Sequence, residues 1–168
     1  MQLEKKSLLE FLKEVDSHLR KRIDLVAAGG TAMTLLDIKQ STIDIDFIVA
    51  GSDFLDLKRA LNSVPHGYRI DIFRDGFVFS QKLPEDYIQK SILIRKFKSI
   101  RLYALHPLDI IVTKIGRLNE RDTEDIKDCI RKFNIRKAEI KKRAKMVEYV
   151  GQRQNYETNL SHVLKSLF

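Results

Sequence analysis

The sequence predicts an α/β fold, a small mixed sheet flanked by helices and followed by a helical C-terminal part. Three observations predict it: apolar residues recur at helical spacing before residue 20, short apolar runs parted by glycine turns fill residues 23 to 104, and helical spacing returns from Pro107. Leu8, Leu9, Phe11, Leu12, Val15 and Leu19 make residues 4–20 an amphipathic opening helix. Ile23 to Ala28 is an apolar run broken by Gly29-Gly30, and residues 31–36 resume a helical pattern, which reads as strand, glycine turn, helix. Residues 43–49 alternate Asp with apolar side chains and form a strand. A helix over 54–61 opens on Ser52 or Asp53 as its cap, and a strand over 68–73 closes on the turn pair Asp75-Gly76. Further short strands are expected over 77–80, 91–97 and 100–104, then helices over about 107–118, 121–133, 136–150 and 157–168.

With 168 residues, 43% hydrophobic and 32% charged, the chain has the content of one globular domain. No stretch approaches the ~20 uncharged apolar residues that a membrane helix needs, and Met1 to Leu12 carries acids and lysines in place of a signal peptide's apolar run. A soluble, cytoplasmic protein without a membrane partner is expected. The single cysteine, Cys129, has no partner for an internal disulfide and sits beside apolar residues at helical spacing, so it reads as core. His18, His66, His106 and His162 are scattered, which argues against a zinc cluster or a cysteine–histidine pair.

Chemistry gathers in three places: Ala28-Gly29-Gly30-Thr31, Asp44-Ile45-Asp46-Phe47 and Ile70-Asp71-Ile72. Residues two apart in a strand share a face, so Asp44 and Asp46 stand side by side while Ile45 and Phe47 turn to the core. Adjacent carboxylates repel unless a cation lies between them, and an oxygen cluster suits Mg²⁺ or Mn²⁺. Glycines 29 and 30 let the backbone approach a ligand, and the helix beginning near Thr31 offers free N–H groups, so Gly29, Gly30 and Thr31 form a candidate triphosphate seat. If its strand neighbours that of Asp44, Asp71 supplies a third carboxylate. Three acids beside a phosphate seat suit two-metal phosphoryl chemistry.

This order of apolar-Gly-Gly, Asp-apolar-Asp and a lone apolar-flanked Asp resembles the polymerase-beta-like nucleotidyltransferase superfamily over about residues 20–130. The segment His106 to Lys114, with Arg121 to Ile126, is similar to the branch that includes the toxin partners of abortive-infection toxin-antitoxin pairs. The resemblance implies a sheet of the nucleotidyltransferase type and transfer of a nucleoside monophosphate from a triphosphate, ATP among them, to a hydroxyl, with pyrophosphate leaving. It implies that Asp44 and Asp46 bind both metals and that Asp71 binds the catalytic metal and helps deprotonate the acceptor. It further implies that Lys114 contacts the triphosphate and that Asp125, or Asp122, completes the nucleotide pocket. Where many relatives carry an arginine before the first metal aspartate this chain has Gln40-Ser41-Thr42, with Lys39 as a substitute point charge. By the residues alone, Lys114, Arg117 and Arg121 suit a solvated helix surface.

Residues 1–130 form the expected catalytic domain, with 21 Lys/Arg against 20 Asp/Glu. Residues 131–168 hold 10 against 3 and form a basic helical extension packed on the same domain. Arg136, Lys137, Lys141, Lys142, Arg143 and Lys145, interleaved with Tyr149, Arg153 and Tyr156, suit an RNA acceptor, tRNA included. The same pattern suits a helix that packs Ile140, Met146 and Val150 inward with lysines outward. The second function class is a catalytically weak nucleotide-binding or protein-interaction module with a cognate antitoxin or partner protein.

Overall fold

In a computed structural model, which describes residues 2–168, the alternating run that carries the acids becomes the second strand of a five-stranded sheet. Its spatial order is β5 (Arg69–Arg74), β4 (Asp44–Val49), β2 (Ile23–Ala27), β9 (Ile100–Ala104), β8 (Ile92–Lys96). The sheet is mixed: β4 runs parallel to β5 and antiparallel to β2, β2 is parallel to β9, and β8 closes the far edge antiparallel to β9. Leu25, Val26 and Ala27 of β2 and Ile45, Phe47 and Ile48 of β4 are buried, which explains their near-continuous apolar composition.

Helix α1 (Lys5–Asp16) lays Leu8, Leu12 and Val15 into the core. Its last residue, Asp16, is buried and accepts N–H bonds from Lys98, Ser99 and Ile100 at 3.2, 2.7 and 2.7 Å, which ties the helix to the β8–β9 turn. Helix α2 (Gly29–Leu35) follows β2 directly, and α3 (Phe54–Asn62) follows β4 after a single 3₁₀ turn at Gly51–Asp53. The turn pair Asp75-Gly76 has positive φ at both residues, 54° and 83°, as the type I′ chemistry of such a pair requires. All nine residues of α5 (Pro107–Ile115) are buried, so it is a core helix around which α6 (Glu120–Phe133), α7 (Lys137–Met146) and α8 (Arg153–Ser166) gather. Ile140, Ala144, Tyr156 and Val163 belong to the same hydrophobic cluster as the sheet. Cys129 lies there too, fully buried, its thiol pushed up to about 12 by burial.

Some short elements escape the sequence reading because two residues carry no period. β1 (Leu3–Glu4) pairs antiparallel with β3 (Ser41–Thr42), and β10 (Glu148–Tyr149) and β7 (Gln81–Lys82) form a separate three-stranded ribbon with β6 (Phe77–Val78), which falls in the strand expected over 77–80 and ends two residues early. The four-residue helix α4 (Tyr87–Lys90) is equally unannounced. Several helix ends differ from expectation: the opening helix stops at Asp16, and the last helix begins at Arg153. The helix from Pro107 stops at Ile115, and that from 136 stops at Met146, so Met146 and Val150 do not pack inward but stand 49% and 74% exposed. Among the described residues no helix is long and apolar enough to cross a membrane.

Candidate active site

The acids are positioned by strand register. On β4, Ile45 and Phe47 turn fully into the core, and the opposite face carries Asp44, exposed, and Asp46, buried. In the parallel pairing with β5, Asp46 lies directly opposite Asp71. Burial pushes the Asp46 carboxyl up to about 6, and the negative charges of Asp71 and then Asp44 act in the same direction. Lys114 and Arg117 pull the other way without offsetting it.

The glycine turn presses its backbone against the same carboxylate. Gly29 opens α2 at φ 53°, and a Cβ there would come within 3.2 Å of Asp46 Oδ2 and 3.4 Å of the Phe79 ring. Only glycine fits both the conformation and the space. The Thr31 side chain turns to β4. Its fully buried hydroxyl donates to the Asp44 carbonyl at 3.1 Å and accepts the Asp46 N–H at 3.0 Å, and Ala28 N–H donates to the Asp46 carbonyl at 2.9 Å. Thr31 therefore braces β4 with its hydroxyl, while its backbone N–H lies in the first turn of α2. Thr42 adds a second brace, donating to the Asp44 carbonyl at 2.8 Å.

Across from the acids, the helices supply an ordered charge network. Lys114 is buried near the end of α5, its Nζ 2.9 Å from Asp125 and 3.5 Å from Asp122, so it is not the solvated surface residue that composition alone suggests. Lys39 reaches the other oxygen of Asp125 at 2.7 Å. Arg117 grips Asp122 with two bonds of 2.7 Å, and Asp122 also completes a capping box with Asn119 at the start of α6. Burial by itself raises the Asp122 carboxyl, but Arg117, Lys114 and the Asn119 N–H together hold it below the usual carboxylate range. Of the two acids open at the sequence level, Asp125 lines the cleft while Asp122 belongs to the helix cap.

Gly29, Gly30, Asp44, Asp46, Asp71, Lys114 and Asp125 thus border one cleft of about 700 Å³, together with Arg117 and Arg121. Phe73 and Phe79 also line it. Phe73 was legible, being two residues after Asp71 on the same strand face, whereas nothing in the local pattern marks Phe79. The donor set of three carboxylates, one buried and repelled by the others, fits a hard divalent cation. Among the described residues no three potential ligands are yet drawn into a cage, and Asp71 leans toward Arg69 Nε at 3.8 Å.

A family model described as a nucleotidyltransferase of unknown function (DUF6036) matches residues 5–161. No curated protein and no solved structure matches the chain.

Proposed function

Given that the chain belongs to the DUF6036 family of nucleotidyltransferases of unknown function, we propose that it moves a nucleoside monophosphate from a triphosphate to a hydroxyl and releases pyrophosphate. The observation that carries this reading is the facing of Asp46 and Asp71 on adjacent parallel strands, with the Gly29 backbone against the Asp46 carboxylate. Asp44, Asp46 and Asp71 would hold the divalent cation, Mg²⁺ or Mn²⁺. Such a cation neutralises triphosphate charge and acidifies an acceptor hydroxyl.

The chain's own groups divide the remaining work. Asp71 sits on the edge strand with its side chain about half exposed, open to an incoming hydroxyl and able to take its proton. Gly29 and Gly30 open the first turn of α2, whose backbone N–H groups would meet the phosphates. Lys114, fixed by Asp125, and the exposed Arg117 and Arg121 supply positive charge toward the leaving pyrophosphate. Thr31 and Thr42 hold β4 so that the Asp pair cannot shift. With the likeness of segments 106–114 and 121–126 to toxin partners, a cognate partner protein is proposed as well. RNA is proposed as the acceptor.

The test is pyrophosphate release and label transfer with each ribonucleoside triphosphate, Mg²⁺ and total cell extract. Wild type should label one fraction, and Asp46→Asn should lose that labelling with an unchanged circular dichroism spectrum. Wild-type labelling by the variant would defeat the assignment. Triphosphate binding without turnover would favour the weak-binding module instead.

A further inference from the structure

The cleft wall is polar nearly throughout, yet two aromatic rings stand in it beside the acids. Phe79 lies at the tip between β6 and β7, 41% exposed, at φ 54°. A bulky side chain rarely adopts that conformation, and glycine would adopt it without strain. Neither backbone preference nor removal from water accounts for a phenylalanine at this point. The tip of its ring lies 3.4 Å from where a Gly29 Cβ would stand, and the Phe73 ring meets it edge to face with centroids 5.2 Å apart. Arg117 extends over it with the guanidinium carbon 5.8 Å from the centroid.

The ring is also held in place. Gln81, next but one in the chain, is buried and donates through Nε2 to the Thr113 carbonyl at 2.8 Å and the Val78 carbonyl at 3.1 Å. Val150 N–H donates to the Ser80 carbonyl at 2.8 Å, and β10 pairs with β7. The tip is therefore clamped from both sides, against α5 and against the C-terminal segment.

We propose that Phe79, backed by Phe73, is a nucleobase subsite: a fixed aromatic face on which a purine or pyrimidine stacks beside the phosphate turn. Every base has a π-face, so stacking of this kind needs no specific hydrogen bond. The base belongs either to the donor triphosphate or to the end of a nucleic-acid acceptor, and the subsite rests on the nucleotidyltransferase reading above.

The chain has no tryptophan, so Phe79→Trp introduces one fluorophore at this spot. With Mg²⁺ present, ATP should quench it and inorganic tripolyphosphate should not, if the donor base stacks. Quenching by a short unphosphorylated oligoribonucleotide, with none by ATP, would assign the face to the acceptor. Phe79→Gly, which relieves the backbone, should fold at least as stably as wild type and weaken binding of the base-bearing probe about tenfold. Its tripolyphosphate affinity should stay unchanged. Equal affinity of Phe79→Gly and wild type for ATP and oligonucleotide would overturn the subsite, as would a parallel loss of tripolyphosphate. Wild type that binds neither ATP nor tripolyphosphate would defeat the nucleotidyltransferase reading itself.

Discussion

Asp46 is a buried acid between two others, and its proton affinity couples the site to stability. Its carboxyl rises from 3.8 to about 6 on folding. A raised carboxyl contributes stability below its unfolded value and loses it as pH climbs through the folded one. Without divalent cations, wild type should therefore lose about 2 kcal/mol between pH 4 and pH 8 from this group. Asp46→Asn should abolish transfer yet melt at a higher temperature than wild type at pH 8, with a shallower pH slope. Melting curves at pH 5 and 8 check this, and an unchanged slope contradicts the raised carboxyl. Asp71→Asn should lose turnover more than triphosphate affinity by calorimetry, because the proposed role of Asp71 is toward the acceptor. Affinity loss as severe as in Asp46→Asn would contradict that division. At this scale the three acids were legible because strand period and apolar neighbours mark them. The facing of Asp46 and Asp71 was not, since parallel register depends on residues far apart in the chain. The bracing of β4 by the Thr31 hydroxyl was not legible either, since its partners lie 13 and 15 residues away.

The basic run on α7 divides by helical face. Lys141, Lys142 and Lys145 are exposed, whereas Arg143 is buried and bonds Asp109 at 2.6 and 3.0 Å and Asp86 at 2.9 Å. The aromatics expected beside them are not free for stacking either. Tyr149 is half-buried, and Tyr156 is fully buried with its hydroxyl donating to the Val112 carbonyl at 2.8 Å. Any RNA grip by this region rests on charge alone. Reversing Lys141, Lys142 and Lys145 to glutamate should weaken RNA binding and flatten its log-log salt dependence by about 0.7 per lost phosphate contact, leaving triphosphate binding intact. Equal salt dependence would remove α7 from RNA recruitment. Arg143→Met should cost about 3–5 kcal/mol in urea unfolding, because Asp109 is left buried without its partner. Adding Asp109→Leu should recover most of that loss. The sequence held one sign of this pair: position 143 lies three residues after Ile140 and beside Ala144, on the apolar stripe. A basic residue there reads as surface until its acid is known, and Asp109 is on another helix.

Across the whole molecule, the mixed sheet and the helical end follow from periodicity, while the two-residue pairings follow only from the completed fold. The outer pairing of the three-stranded ribbon is of the second kind. It joins Gln81–Lys82, beside the site, to Glu148–Tyr149, which come after nearly every other element. A chain made from its N-terminus has Asp44, Asp46 and Asp71 in hand well before residue 148 exists, and non-local pairing is slow to form. During synthesis the tip that carries Phe79 therefore lacks its outer strand and the Val150–Ser80 bond. The acids and the wall that faces them mature at different moments, so a growing chain holds an unfinished cleft until its last helix has begun to emerge.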